Sequence, residues 1–185
     1  TSLLLWDLPS GRLRTQLDDP AGRPLGHPAF SPDGKALAAV ASQSESPHNG
    51  FCVWDVATGQ LRTAVSLPGQ GIAGWAFSPD GKLLAASRPG LGLVLHDAAT
   101  GRRLRSIDVP TMDQGRIAFT PCGTQVAAPR NDGTVTLYEV ATGAPARTIP
   151  GERLRPVLDL AFSPDGRRLA TLPQDGGLRM WNLPT

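Results

Sequence analysis

The sequence predicts an all-β chain, a stacked or radial array of short four-stranded antiparallel sheets. Three observations carry that expectation. A unit of about 42 residues recurs four times, its phenylalanines Phe30, Phe77, Phe119 and Phe162 spaced 47, 42 and 43 residues apart. Short apolar segments close in the pairs Trp6-Asp7, Trp54-Asp55, His96-Asp97, Tyr138-Glu139 and Trp181-Asn182. Turn-forming residues cut each unit into strand-length pieces. Fixed self-similarity at this period marks a repeat architecture, in which one unit buries its apolar faces only against its neighbours.

The third unit shows the elements most cleanly. Residues 116–120 read as a short strand through Phe119, and Thr120-Pro121-Cys122-Gly123 as a turn. Residues 124–128 form a second strand, and Arg130-Asn131-Asp132-Gly133 turns again. Residues 134–140 form a third strand, alternating and rich in β-branched residues. Thr142-Gly143 turns once more, and a fourth strand covers 146–149. Even spacing with turn residues between the strands is the pattern of an antiparallel meander.

The turns follow from residue chemistry. In Ser31-Pro32-Asp33-Gly34, proline presets φ at the second position and glycine suits the last, as a type I turn prefers. Residues 78–81 and 163–166 repeat the same four residues, while the third unit places Thr120 and Cys122 where the others have serine and aspartate. These aspartates therefore read as turn formers rather than acids for catalysis. The second strand carries small residues in every unit: Ala38-Ala39, Ala85-Ala86, Ala127-Ala128 and Ala170-Thr171. Closely packed sheet faces leave room for little more.

At these residues the chain resembles the WD-repeat β-propeller family. The Phe-Ser-Pro-Asp-Gly turns, Asp132-Gly133 before a strand and Trp54-Asp55 match that family in order and spacing along essentially the whole chain. The resemblance implies blades of four strands, labelled a to d from the inside out. The chain then opens at residues 2–6 as a strand c and runs d-a-b-c four times, with repeats at about 12–55, 60–97, 102–139 and 144–182. The expectation is one propeller segment over 1–185, truncated at both ends and forming an incomplete ring. The alternative is that its partial blades combine to close a small ring or to join two chains. The family often has Gly-His nine to ten residues before the phenylalanine; nine back stand Ala21, Pro68, Pro110 and Arg153. The family's buried His-Asp-Trp network is thus expected to be degenerate, with apolar packing and turn chemistry holding the blades.

Composition narrows the function. A formal charge of +2 supplies no broad electrostatic reason to expect nucleic acid or a membrane surface as a partner. The two cysteines, Cys52 and Cys122, lie at non-equivalent places in different repeats and read as unpaired thiols. His27, His48 and His96 stand too far apart in the sequence to suggest a metal triad. No phosphate-binding glycine loop or nucleophile elbow is present. No catalytic, cofactor or metal residue is therefore named, and the chain is not expected to be an enzyme.

One irregularity points to a binding face. Gly34 to Trp54 spans 20 residues, whereas Gly81 to His96, Gly123 to Tyr138 and Gly166 to Trp181 span 15. The excess falls in residues 42–50, read as a surface loop, and inserts in repeat proteins gather on one face, often the binding face. The resemblance places the b–c and d–a loops together on that face. The candidate partner-binding residues are Gln43, Glu45, His48, Arg88, Arg130, Asn131, Gln174 and Asp175, with Asp113, Gln114, Glu152 and Arg153 on the d–a connections. A second series, Arg14, Arg62, Arg105 and Arg147, sits in the outermost strands and reads as charge that discourages edge pairing. Exposed blade edges in an open arc also predict self-association. The function expected is a non-catalytic module binding a protein or peptide. The alternatives are a small-ligand or enzymatic propeller, and a purely structural portion of a larger signalling protein.

Overall fold

The computed structural model describes residues 2–42, 48–68, 71–109, 115–151 and 155–183, with the side chains of His48 and Pro68 left out. The described residues contain seventeen β-strands and no α-helix. β1 (Leu3–Asp7) and β2 (Arg12–Leu17) pair as a two-stranded ladder. β3 (Leu25–Phe30), β4 (Ala36–Ala41), β5 (His48–Asp55) and β6 (Leu61–Pro68) form a four-stranded meander. β7 (Gly74–Phe77), β8 (Leu83–Arg88), β9 (Gly92–Asp97) and β10 (Arg103–Ile107) form the next. β11 (Ala118–Phe119), β12 (Gln125–Pro129), β13 (Val135–Glu139) and β14 (Pro145–Ile149) form a third. β15 (Val157–Phe162), β16 (Arg168–Pro173) and β17 (Arg179–Asn182) make a three-stranded sheet. Every pairing is antiparallel between consecutive strands.

The strands divide into two compact units, one of Thr1–Gly71 with Ala98–Gly101 and one of Ile72–Asp97 with Arg102–Thr185. In the first unit, Leu17 of β2 packs with Leu37, Ala39 and Ala41 of β4 and Cys52 and Trp54 of β5. In the second, Ala85, Leu93, Leu95 and Ile107 meet Phe119, Val126, Ala128 and Tyr138. Ala127, Val135, Leu137 and Ile149 then meet Val157, Leu160 and Leu169, with Phe162 and Trp181 against them. The alanine pairs of the first three second strands, Ala38 to Ala128, are fully buried. A large side chain buried in this way contributes about 1.5–3 kcal/mol, against about 0.5–1.5 kcal/mol for a typical hydrogen bond, so sheet-on-sheet packing dominates stability. The inner strands of the second unit nearly touch. A Cβ on Gly74 would lie 2.5 Å from the Gly115 carbonyl oxygen, and one on Gly115 2.6 Å from that of Val157.

The a–b turns repeat almost atom for atom. The Ser31 hydroxyl donates to Asp33 Oδ1 at 2.6 Å, the Lys35 N–H donates to the same oxygen at 3.0 Å, and the Ala36 N–H donates to Ser31 Oγ at 2.9 Å. Ser78 with Asp80 and Ser163 with Asp165 reproduce the hydroxyl bond at 2.6 Å. Accepting these donors lowers the carboxyls of Asp33, Asp80 and Asp165 below their ordinary value. At the c–d hairpins a left-handed glycine closes the turn, Gly59 N–H reaching Asp55 O at 2.8 Å and Gly143 N–H reaching Glu139 O at 2.7 Å. Four such ladders among the described residues carry a β-bulge close to the closing residue, at Leu5/Trp6, at Val53/Trp54, at Leu137/Tyr138 and between Arg103 and Arg105.

Two sequence expectations are revised. The insert is not wholly a loop: residues 48–50 extend β5, where Gly50 pairs with Ala41 on one side and Ser66 on the other. A Cβ on Gly50 would sit 1.8 Å from the Val65 carbonyl oxygen, so only glycine lets the ladder continue there. The outer-strand arginines do more than place charge on an edge. Arg14 donates to the Ala57 carbonyl at 3.2 Å, and Arg105 to the Ala141 and Thr142 carbonyls at 2.6 and 3.0 Å, each fastening its strand to the c–d hairpin of the next sheet. Thr63 makes the equivalent bond to the Thr100 carbonyl at 3.3 Å. Arg62 instead pairs with Asp55 at 2.6 Å within its own hairpin, holding that carboxyl down to about 2.

Candidate recognition face

Antiparallel meanders put the b–c turns and the d–a connections at the same end of each sheet, and hydrogen bonds tie the two together. Ser42 N–H donates to the Pro24 carbonyl at 3.0 Å, and Gln174 N–H to that of Pro156 at 2.9 Å. In the second unit Arg155, on the d–a connection, forms an ion pair with Asp175 in the β16–β17 turn. Gln174 and Asp175 both lie at the surface there. Arg130 and Asn131, half-buried, occupy the β12–β13 turn, which Arg130 closes by donating its N–H to the Thr134 carbonyl at 2.8 Å. Asp132 caps that turn by accepting the Thr134 hydroxyl at 2.6 Å. Arg88 is not on the open surface: it ends β8 and is buried, because the loop after it is only a tight turn closed by Leu91 N–H on the Arg88 carbonyl. Gln43, Glu45, Asp113, Gln114, Glu152 and Arg153 lie outside the described residues, as does the His48 side chain.

The first unit holds a polar cluster that sequence reasoning missed. Asp19 and Arg23, on the β2–β3 connection, form a buried ion pair, with Arg23 Nε at 2.8 Å from Asp19 Oδ2 and Arg23 Nη2 at 2.9 Å from Asp19 Oδ1. The Arg23 N–H donates to Asp19 as well, at 2.9 Å, and the Cys52 thiol donates to Asp19 Oδ1 at 3.1 Å. Arg23's side-chain bond holds the Asp19 carboxyl well below the usual carboxylate range, and burial pushes the Cys52 thiol up to about 12. The pair flanks Ala21, which stands nine residues before Phe30. Its only sequence signal is an acid and a base four apart in a connection between strands, a spacing that is common on solvated loops.

The opposite end carries a different thiol. Cys122 occupies the aspartate position of its a–b turn, 3.4 Å from Thr120 Oγ1 and 3.1 Å from Thr124 Oγ1. A position built to receive donors favours the thiolate, and the two hydroxyls lower Cys122 to about 7. It borders a cleft of about 410 Å³ with Gln125, Arg147 and Asp165. Among the described residues, no three His, Cys, Asp or Glu side chains gather closely enough to hold a metal ion.

The closing residue of each third strand decides the relationship. Trp54, His96 and Tyr138 are buried at equivalent places, and Trp181 donates from Nε1 to Thr171 Oγ1 at 3.0 Å. The family model for the WD domain, G-beta repeat, matches residues 143–182, the span of β14 through β17. The chain carries a WD repeat. Antiparallel sheets of consecutive strands, and the serine–aspartate turn bond of Ser163 and Asp165, recur upstream of the matched residues. No curated protein sequence matches the chain. WD repeats generally serve as protein–protein interaction or scaffold modules, and domains made of them are typically non-enzymatic.

Proposed function

We propose that this WD-repeat chain is a non-catalytic recognition module whose sheets are blades of a propeller arc spanning 1–185. It binds a protein or peptide on the face made by its b–c turns and d–a connections. The observation that carries this reading is the bonding between the two loop classes. Arg155 with Asp175, and Gln174 with Pro156, fix one loop against the other, so polar arms are presented from a rigid frame. Ordered arms lose little conformational entropy on binding, which favours recognition over flexible loops of the same composition. Arg130, Asn131, Gln174 and Asp175 supply both charges and amide groups, suited to a peptide backbone and its polar side chains.

A pull-down from lysate tests the reading. One variant combines Arg130→Glu, Gln174→Ala and a Gly/Ser replacement of residues 43–47. A control variant carries Lys35→Glu and Lys82→Glu at the opposite end. The first should lose captured protein and the second should keep it. Equal recovery from both would remove this face from consideration.

A further inference from the structure

β10 is the outer strand of a four-stranded sheet that has further sheets before and after it in the chain. It pairs with β9 on one side, and among the described residues no strand pairs with its other side. Arg103, Leu104, Arg105 and Ser106 are all exposed along it. Register puts its charge on both faces. Arg103 stands opposite His96 and Arg105 opposite Leu95, because the bulge takes up one residue between them. His96 and Leu95 are successive on β9 and point to opposite faces, so Arg103 and Arg105 do too. The other outer strands differ. β2 sets Arg12 opposite Asp7, β6 pairs Arg62 with Asp55, and β14 carries Arg147 alone. Among the described residues neither Arg103 nor Arg105 forms an ion pair, and Arg105 donates to backbone carbonyls instead. Burial lowers Arg88 at the end of β8, and the charge of Arg103 lowers it further, so positive charge on this sheet adds rather than cancels.

We infer that the open edge of β10 receives an extended acidic segment of a partner protein, which adds to the sheet as a further strand. An added strand supplies the backbone bonds this edge lacks, and its successive side chains point to opposite faces. Two adjacent acidic residues then meet Arg103 on one face and Arg105 on the other. The same arginines repel a basic strand, so the edge selects by charge as well as by shape. A nucleic acid would answer the charges but not the backbone edge. The strand is short, five residues with a bulge near one end, so the affinity is modest, on the order of 10–100 μM. This surface is the side of the sheet rather than its loop end, and the inference does not rest on the loop face.

Fluorescence anisotropy on the full chain tests it. The probe is a labelled peptide of about ten residues, the upper length of an ordinary strand, with valine and threonine around two adjacent glutamates. Two control peptides replace the glutamates by glutamines or carry N-methyl groups on the central amides, and a single-stranded oligonucleotide is the third control. The glutamate peptide should bind the wild type. Binding should weaken about tenfold with either control peptide, and about tenfold on Arg103→Glu, while Arg103→Lys keeps most of it. Circular dichroism and a thermal melt confirm that both variants keep their β-structure. No binding of the glutamate peptide up to about 500 μM overturns the inference, and so does unchanged binding to Arg103→Glu or by the glutamine peptide. Equal binding by the N-methylated peptide would mean charge attraction without strand addition. Tighter binding by the oligonucleotide would make this edge a nucleic-acid surface. Either result overturns the inference as well.

Discussion

Asp19 and Arg23 show how one buried pair sets the strength of a connection. Both side chains are out of water, and the Asp19 carboxylate accepts from Arg23 and from Cys52. Removing one charge of such a pair leaves the other buried alone, which costs about 3–5 kcal/mol, whereas replacing both by apolar groups is often neutral. Asp19→Asn should therefore lower the urea midpoint markedly at neutral pH, while Asp19→Leu with Arg23→Met should nearly restore it. The pH dependence has a defined sign. Asp19 titrates below its ordinary 3.8 in the folded chain, so its contribution is complete above about pH 4 and fades as the pH falls toward the folded value. The gap between wild type and Asp19→Asn should narrow over that acid range. A gap that is small at pH 7, or that widens in acid, would show that the pair is not what holds the connection.

The outer-strand arginines belong to the scale of the element. Arg105 on β10 reaches two carbonyls of the Ala141–Thr142 turn, thirty-six and thirty-seven residues away. Gly143 makes the approach possible, since a Cβ there would meet Ile107 at 3.3 Å and Arg105 at 3.5 Å. Arg105→Ala should cost about 0.5–1.5 kcal/mol, the ordinary worth of such bonds. Arg147→Ala, at the equivalent exposed position on β14, should cost less than about 0.5 kcal/mol, as surface substitutions do. Thermal melts of both variants make the comparison, and equal losses would refute the latch. The sequence could not distinguish these arginines, because an edge-strand arginine looks the same whether its guanidinium meets water or a carbonyl of the next repeat. Turn chemistry was legible for the opposite reason. Ser31, Pro32, Asp33 and Gly34 satisfy one another within a few residues, and the repeated string announces the repeated geometry. The loop face stands between these cases: its position followed from strand order, but the burial of Arg88 followed from a turn length that spacing alone does not translate into depth.

At the scale of the whole molecule, repetition makes stability depend on neighbours. In β8 and β9 nearly every residue is buried. Trp6 of β1 and Met180 of β17 lie at the surface, as does Leu178 just before β17. In an array whose stability sums local terms and nearest-neighbour contacts, strands with exposed side chains open more readily than those buried on both sides. Amide exchange followed by mass spectrometry should therefore show a periodic profile along the chain. Protection should peak over 36–41, 84–88, 93–96, 126–129 and 135–138, and fall in β2, β10 and β14, whose side chains are mostly exposed. Within that period β1 and β17 should exchange faster than β9 and β13, although all four are third strands with similar ladders. Sequence period alone would make them equal, so a flat comparison among third strands would mean that coverage by a neighbouring sheet does not govern local stability here.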